Sequence, residues 1–287
     1  MLKRNDYSYS ALNIYDSICH KQYYFEYLDP YASHWENKKR IKQVQIEAGR
    51  RKELIFGGII HDVLTSFFHL PPDRRGIGSV KEILESRWSG PRGAKRGFPD
   101  IKEEREAYER ALKMLKGFVA KANLDPKIAY LPKPKKKDDE FVKENYFKVD
   151  IGDGLQLTGV IDRIDKEEDG YHLMDYKTGK EKKKESDFQL MVYALLAEGA
   201  LGMPLAKASY LYPESAKLTT FTPDSKSKNK ALAKIKEIIG AIQADEEFEP
   251  QPSKMCYYCD FVELCPAKEE AKRFIAEFKG EESDLPF

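Results

Sequence analysis

Over residues 141–178 apolar and polar side chains alternate with a period of two, and the alternation is interrupted at Gly152-Asp153-Gly154 and again at residues 167–170. Successive side chains of a strand point to opposite faces, so this stretch predicts three antiparallel strands joined by two hairpins. Outside it the period becomes helical. Residues 8–28 open on serines suited to cap a helix, and Leu12, Tyr15, Ile18, Cys19, Gln22 and Tyr23 recur at helical spacing, which puts Cys19 on the inner face. Residues 57–69 carry a wide apolar stripe, Ile59, Ile60, Val63, Leu64, Phe67 and Phe68, with His61 at its edge. A charged amphipathic helix is predicted at 101–121, a helix at 186–200, a strand at 207–212 and a helix at 228–243. The chain therefore belongs to the α/β class.

Two stretches break these patterns. Residues 71–99 are rich in Gly, Pro and Arg and read as a linker or loop, and residues 131–137, Pro-rich and basic, mark a second boundary. The expected organisation is one domain over residues 1–287. Its parts are N-terminal helices (1–70), a loop and helical insertion (71–137), a sheet with helices (138–245) and a cysteine-rich end (246–287).

At 287 residues, with 41% hydrophobic and 34% charged positions, the composition is that of a folded globular chain. No segment approaches the ~20 apolar residues that span a bilayer, and the polar start, Met1-Leu2-Lys3-Arg4, lacks the pattern of a secretory signal. A cytoplasmic location without membrane association is the expectation. The net charge is only +1, so no bulk field recruits nucleic acid. Basic residues are instead local, at Lys38-Lys39-Arg40, at 133–137, at 180–184 and at 226–230, and such runs are commonly solvated faces.

The alternating stretch holds the chemistry. Residues two apart on a strand share a face, so Asp175 and Lys177 point the same way, together with Tyr171 and Leu173. A turn at 167–170 pairs Lys166 with Tyr171, and counting back sets Asp162 opposite Asp175. Paired Cβ atoms lie ~5 Å apart, where like charges repel unless a cation neutralises them. If Gly152-Asp153-Gly154 is a three-residue loop, Glu144 falls opposite Asp162 as a third acid. Carboxylates clustered on strands beside a lysine suit metal-assisted phosphodiester hydrolysis. The bland alternative is a surface hairpin. A two-residue turn at Asp169-Gly170 would make Asp162 and Lys177 a cross-strand salt bridge. Gln189 and Tyr193, four apart, share a helix face, although Ser186 with Gln189 also fits a capping box.

Three of four cysteines lie within ten residues, Cys256, Cys259 and Cys265, the last followed by Pro266, and the fourth is Cys19. Four thiolates complete a zinc site or an iron–sulfur cluster, and the uneven split with one Cys-x-x-Cys knuckle favours the cluster. Such a group would clip the N-terminal helix to the C-terminus.

Gly159-Val-Ile-Asp162-Arg-Ile-Asp165, Asp175-Tyr-Lys177-Thr-Gly179, Gln189-Leu-Met-Val-Tyr193, Gly57-Gly-Ile-Ile-His61 and the split cysteine set occur together in this chain. In this combination the sequence resembles the RecB-like branch of the PD-(D/E)XK nucleases, including its four-cysteine members of the AddB and CRISPR-associated exonuclease types. The resemblance implies a restriction-endonuclease-like mixed sheet flanked by helices, with a helical insertion and an iron–sulfur clip. It implies Mg2+ or Mn2+ held by His61, Asp162, Asp175 and the Tyr176 carbonyl, with Asp162, Asp175 and Lys177 catalytic, and Glu144 as an additional acidic position of some relatives. Gln189 and Tyr193 would bind nucleic acid or support the site, and Cys19, Cys256, Cys259 and Cys265 would hold a [4Fe-4S] cluster. The expected activity is exonucleolytic cleavage of single-stranded DNA in repair, recombination or CRISPR adaptation. The chain has no Gly-x-x-x-x-Gly-Lys phosphate loop, so unwinding would fall to a helicase partner. A scaffold subunit that binds DNA without cutting it is the alternative.

Overall fold

The structure, a computed structural model, describes residues 4–47, 49, 51–135, 142–181 and 187–278. Along the chain come β1 (Asp6–Ser8), α1 (Tyr9–Asn13), α2 (His20–Tyr27), α3 (Trp35–Glu47), α4 (Lys52–Phe68), α5 (Ile77–Trp88) and α6 (Ile101–Lys121). The strands β2 (Ile128–Tyr130), β3 (Phe147–Asp150), β4 (Gln156–Gly159), β5 (Arg163–Glu167) and β6 (Gly170–Tyr176) follow. The chain continues with α7 (Phe188–Leu201), β7 (Leu205–Tyr212), β8 (Lys217–Phe221), α8 (Ser225–Ala244) and α9 (Lys268–Glu277). These elements form two compact units, one of residues 1–53, 91–104 and 233–287, the other of residues 54–90 and 105–232.

The second unit is built on a five-stranded mixed sheet in the order β2-β5-β6-β7-β8. The β5–β6 register is the one counted from the sequence: Lys166 pairs with Tyr171, and the ladder runs to Arg163 with Met174. That register excludes the two-residue turn at Asp169-Gly170. β6 and β7 are parallel, joined through α7, an arrangement that requires a crossover helix. Leu190, Met191, Val192, Ala194, Leu196 and Ala197 of α7 are buried, as expected of a helix that is apolar nearly all round. Its Gly199 packs against β3, where an added Cβ would lie 2.4 Å from Val149 Cγ1.

The alternating stretch proves to be four strands. It is cut at residues 160–162, so β3 and β4 pair outside the five-stranded sheet. The three-residue loop is as expected, with Ile151 N–H donating to Leu155 O at 3.0 Å. The expected loop at 71–99 contains α5, which composition concealed and which buries Val80, Leu84 and Trp88. Strands β2 and β8 were not anticipated, being short and without clear alternation.

In the first unit, Ser8 caps α1 by accepting from Ala11 N–H at 3.2 Å. The single N-terminal helix expected over residues 8–28 is instead broken. After α1 the chain widens into a π-helical turn at Ile14–Ile18 and then becomes extended at Cys19 (φ −168°) before α2 starts. Cys19 therefore sits at a helix junction and not on a continuous helical face. This unit also buries Glu104 completely, where it accepts from Gly93 N–H at 2.7 Å and Arg92 Nε at 3.0 Å, with Arg96 Nε at 3.3 Å. Burial alone would raise the Glu104 pKa, but the Gly93 N–H and the two arginines outweigh it and lower it below 4.5. A carboxylate whose pKa is depressed by folding stabilises the fold above its unfolded pKa, and that contribution is lost as pH falls through the native value. Glu104→Ala, which leaves the buried Gly93 N–H without its acceptor and takes the carboxylate away from both arginines, is expected to cost about 3 kcal/mol at pH 7. In denaturant titrations the difference from wild type should shrink towards pH 3, and an unchanged difference would refute the pairing.

Candidate active site

Each side chain of the site is set by the second unit. β6 ends at Tyr176, and Lys177 N–H then donates to Leu211 O of β7 at 2.8 Å, so the lysine leaves the sheet at a fixed point. Asp162 lies one residue before β5, just beyond the last ladder pair, where its Oδ2 accepts from Tyr176 N–H at 2.9 Å. The carboxylate thus replaces the strand's own hydrogen bond. His61 comes from α4, and its Nδ1 lies 3.0 Å from Asp162 Oδ1. Its ring stands edge-on to Tyr176, with centroids 5.6 Å apart. One turn earlier is Gly57, where a Cβ would come within 3.2 Å of Thr178 Oγ1. The glycine of the Gly57-Gly58-Ile59-Ile60-His61 run thereby lets α4 approach the segment that follows Lys177.

Lys177 Nζ is held on two sides, by Asp175 Oδ2 at 3.0 Å and by Gln189 Oε1 at 2.7 Å. Gln189 Nε2 in turn donates to Tyr193 OH at 3.3 Å. The capping-box alternative for Gln189 is not the contact seen, and Ser186 lies outside the described residues. Beneath the ammonium is the ring of Tyr210, 5.1 Å from Nζ to centroid. Tyr210 pairs with Asp175 across the parallel strands, a neighbour no local pattern reveals because the crossover sets it. Arg163 and Asp165, two apart on β5, form a buried ion pair with Nε to Oδ1 at 2.7 Å. Their i,i+2 spacing in the quoted Gly159–Asp165 motif was the available signal.

Electrostatics separate the two acids. Burial pushes the Asp175 carboxyl up and the nearby Asp162 charge adds to this, against the pull of Lys177. For Asp162 burial acts in the same direction but is outweighed by His61, the Tyr176 N–H and Lys177, so its pKa falls. Burial disfavours protonated His61, yet the Asp162 charge and hydrogen bond prevail and raise its pKa. Burial raises Tyr176 to about 12.

The structure thus brings together His61, Asp162, Asp175, Tyr176, Lys177, Gln189 and Tyr193. Glu144 does not join them. The chain curls into a 3₁₀ turn at Lys143–Asn145, where Asn145 exchanges two 2.8 Å hydrogen bonds with the backbone of Lys133. Glu144 is left on the surface, 3.7 Å from Lys133 Nζ. The extrapolated row of three acids therefore stops at two, because the ladder ends at Phe147 and Gly159. Of the basic runs, Lys182–Lys184, Lys136 and Lys137 lie outside the described residues.

Among the described residues no three His, Cys, Asp or Glu side chains are arranged to hold a metal ion. The donors nonetheless suit a small divalent cation in kind, two carboxylates and an imidazole. Asp175 Oδ2 is also a buried oxygen without a well-directed hydrogen bond, its Lys177 contact being an ion pair only.

In the first unit Cys19, Cys256, Cys259 and Cys265 line one pocket, together with Ile18, Phe25 and Phe261 among others. Cys19 Sγ accepts from Gln251 N–H and Cys256 Sγ from Ser253 N–H, both at 3.4 Å. Burial raises the thiol pKa of Cys256, Cys259 and Cys265, and the neighbouring Cys19 raises each further. Next to Cys259, Asp260 pairs with Arg51 and its carbonyl accepts from Gln45 Nε2 at 3.3 Å.

Among the described residues no helix is long and apolar enough to cross a membrane. A search of the curated proteins finds no match. The family model of the PD-(D/E)XK nuclease superfamily matches residues 6–266. That span takes in the mixed sheet, the flanking helices and every residue of the Asp162–Lys177 site, and the chain belongs to the PD-(D/E)XK nuclease superfamily.

Proposed function

We propose that this nuclease is a RecB-like, Mg2+- or Mn2+-dependent enzyme that degrades single-stranded DNA from an end. The observation that carries this reading is the lysine ammonium fixed between Asp175 and Gln189, with Asp162 beside it locked to backbone and imidazole. His61, Asp162, Asp175 and the Tyr176 carbonyl would hold the metal. When bound, it supplies Lewis-acid polarisation of the phosphate and a water of lowered pKa. Lys177 positions the attacking water and offsets the negative charge that grows on the phosphate oxygens. Gln189, braced by Tyr193, keeps the ammonium from folding onto Asp175 alone. His61 holds Asp162 ionised, so that this carboxylate is available as an oxygen ligand at neutral pH.

The same reading assigns a [4Fe-4S] cluster to the four cysteines, supported by their common pocket and by the backbone N–H groups that two of the sulfurs accept from. Its role is to tie Cys19 to the C-terminal segment. With no phosphate loop in the sequence, strand separation is assigned to a helicase or CRISPR adaptation partner.

The test is cleavage of end-labelled single-stranded DNA with Mn2+ or Mg2+ and with EDTA. Wild type should cut only with metal, and Asp162→Asn should cut at least about 100-fold more slowly. Labels at the two ends give the polarity. Cutting in EDTA, or an Asp162→Asn enzyme as fast as wild type, overturns the assignment.

A further inference from the structure

Successive residues of β6 face opposite ways, so Tyr176 projects from the side of the sheet away from Asp175. Arg163 of β5 pairs with Met174, which puts both on that same side, with Tyr176 two residues further along. Against this side lies α4. Its His61 and Phe68 are seven residues apart, two helical turns, and so share one helix face about 10 Å apart. Phe68 lies under the Arg163 guanidinium, with Cζ 4.1 Å from the ring centroid, and His61 meets the Tyr176 ring edge-on with centroids 5.6 Å apart. Two contacts along one helix face set both where α4 lies and how it is turned. Each is held in place. Arg163 is 4% exposed, and its Nε and Nη2 both donate to the Asp165 carboxylate, the first at 2.7 Å. Arg75 Nη2 donates to Phe68 O and Arg75 Nε to Leu70 O, each at 2.9 Å, which anchors the end of α4. The buried Tyr176 hydroxyl has no well-directed hydrogen bond, and the Arg163 charge opposes the rise in pKa that burial causes there.

Tyr176 is the residue through which this side of the sheet reaches the site. Its N–H donates to Asp162 Oδ2 at 2.9 Å, and Asp162 Oδ1 lies 3.0 Å from His61 Nδ1, so the backbone and ring of one residue touch both groups. A buried ion pair by itself gives a fold little, because desolvation offsets the attraction, and one placed next to the site calls for another role. We infer that Arg163 is a positioning residue for cleavage: held by Asp165, it seats Phe68 and with it α4, so that His61 meets Tyr176 and Asp162 at a fixed spacing. The inference deepens the proposed metal-dependent activity and rests on that reading for the role of His61 and Asp162 as metal ligands.

Removing Arg163 alone would strand a buried Asp165, so two milder variants are used. Arg163→Met combined with Asp165→Leu replaces the pair by apolar side chains, while Arg163→Lys keeps a cation for Asp165 and loses the plane that stacks on Phe68. Both should melt close to wild type. The chain has five histidines, so ring correlation spectra of full-length protein labelled at histidine report on His61 directly, with His61→Gln giving its assignment. In both variants the His61 signal should move, while those of His20 and His34, which lie in the first unit, should stay in place. Mn2+ affinity, measured by calorimetry without nucleic acid, should fall about 10- to 100-fold. Binding of a labelled single strand in EDTA should not change. A folded variant of either kind with the wild-type His61 signal and wild-type Mn2+ affinity overturns the inference, and the ion pair then serves the fold alone. A displaced His61 signal, in a protein whose wild type neither binds Mn2+ nor cuts, would refute the proposed activity and leave Arg163 as the residue that positions His61. Metal-dependent cutting by wild type and variants alike, with His61 unmoved, would do the reverse.

Discussion

Lys177→Ala is expected to lower single-strand cleavage by about 10²–10³-fold while leaving strand binding in EDTA nearly unchanged. The expectation follows from where the ammonium is held. Its Nζ is 3.0 Å from Asp175 and 2.7 Å from Gln189, with the Tyr210 ring beneath it, so the charge is fixed before substrate arrives and costs no reorganisation during the reaction. A cation that acts only on charge developing in the transition state changes the rate and not the ground-state affinity. Lys177→Arg should recover little. The guanidinium is planar and wider, and the gap between Asp175 and Gln189 fits an ammonium. Gln189→Ala should give an intermediate loss of about 10-fold, since Asp175 still restrains the amine. Single-turnover cleavage of labelled strand together with anisotropy in EDTA separates these effects. If Lys177→Ala weakens binding as much as it slows cutting, the lysine is a general phosphate contact and the role assigned to it fails.

Cys256→Ala should have the second largest effect, and on stability before chemistry. Cys19 and the segment at 251–265 are more than 230 residues apart in sequence yet line one pocket, with Cys19 Sγ accepting from Gln251 N–H. A cross-link that closes a loop of this length restricts the unfolded chain, by analogy with a disulfide, by about 5 kcal/mol. On the proposed cluster assignment, the melting temperature of anaerobically purified protein should fall by about 10 °C for a chain of this size, together with its iron and sulfide. Arg51→Ala, which breaks the ion pair with Asp260, should lower stability while iron is retained, because it touches no sulfur. Iron lost from Cys256→Ala with the melting temperature unchanged would remove the clip. One zinc per chain, with neither iron nor sulfide, would replace the cluster with a zinc site.

How far the sequence could be read depended on the range of the interaction. The β5–β6 hairpin was readable to within two candidate registers, and the structure takes the one with the turn at 167–170, which sets Asp162 next beyond the Arg163–Met174 pair. Helix α6 was equally plain, its charged and apolar faces separating over six turns. Glu144 was misplaced because alternation was extended through a segment where Asn145 binds the Lys133 backbone. A side chain's bond to loop backbone 12 residues away leaves no periodic trace. Helix α5 was hidden by the glycines, prolines and arginines on either side of it, although Val80, Leu84 and Trp88 carried the four-residue spacing.

By itself the sequence determined the residue types of the site, their order along the chain and the strands of one hairpin, the last set by backbone geometry within a few residues. Only tertiary structure decided that His61 meets Asp162, that Tyr210 lies under Lys177 and that Cys19 interrupts its helix to reach the pocket of the other cysteines. These contacts join elements tens to hundreds of residues apart. The first two exist because buried apolar faces, on α4, α7 and β7, fix where a helix or strand must lie, and the polar groups they carry then find partners that no local pattern encodes.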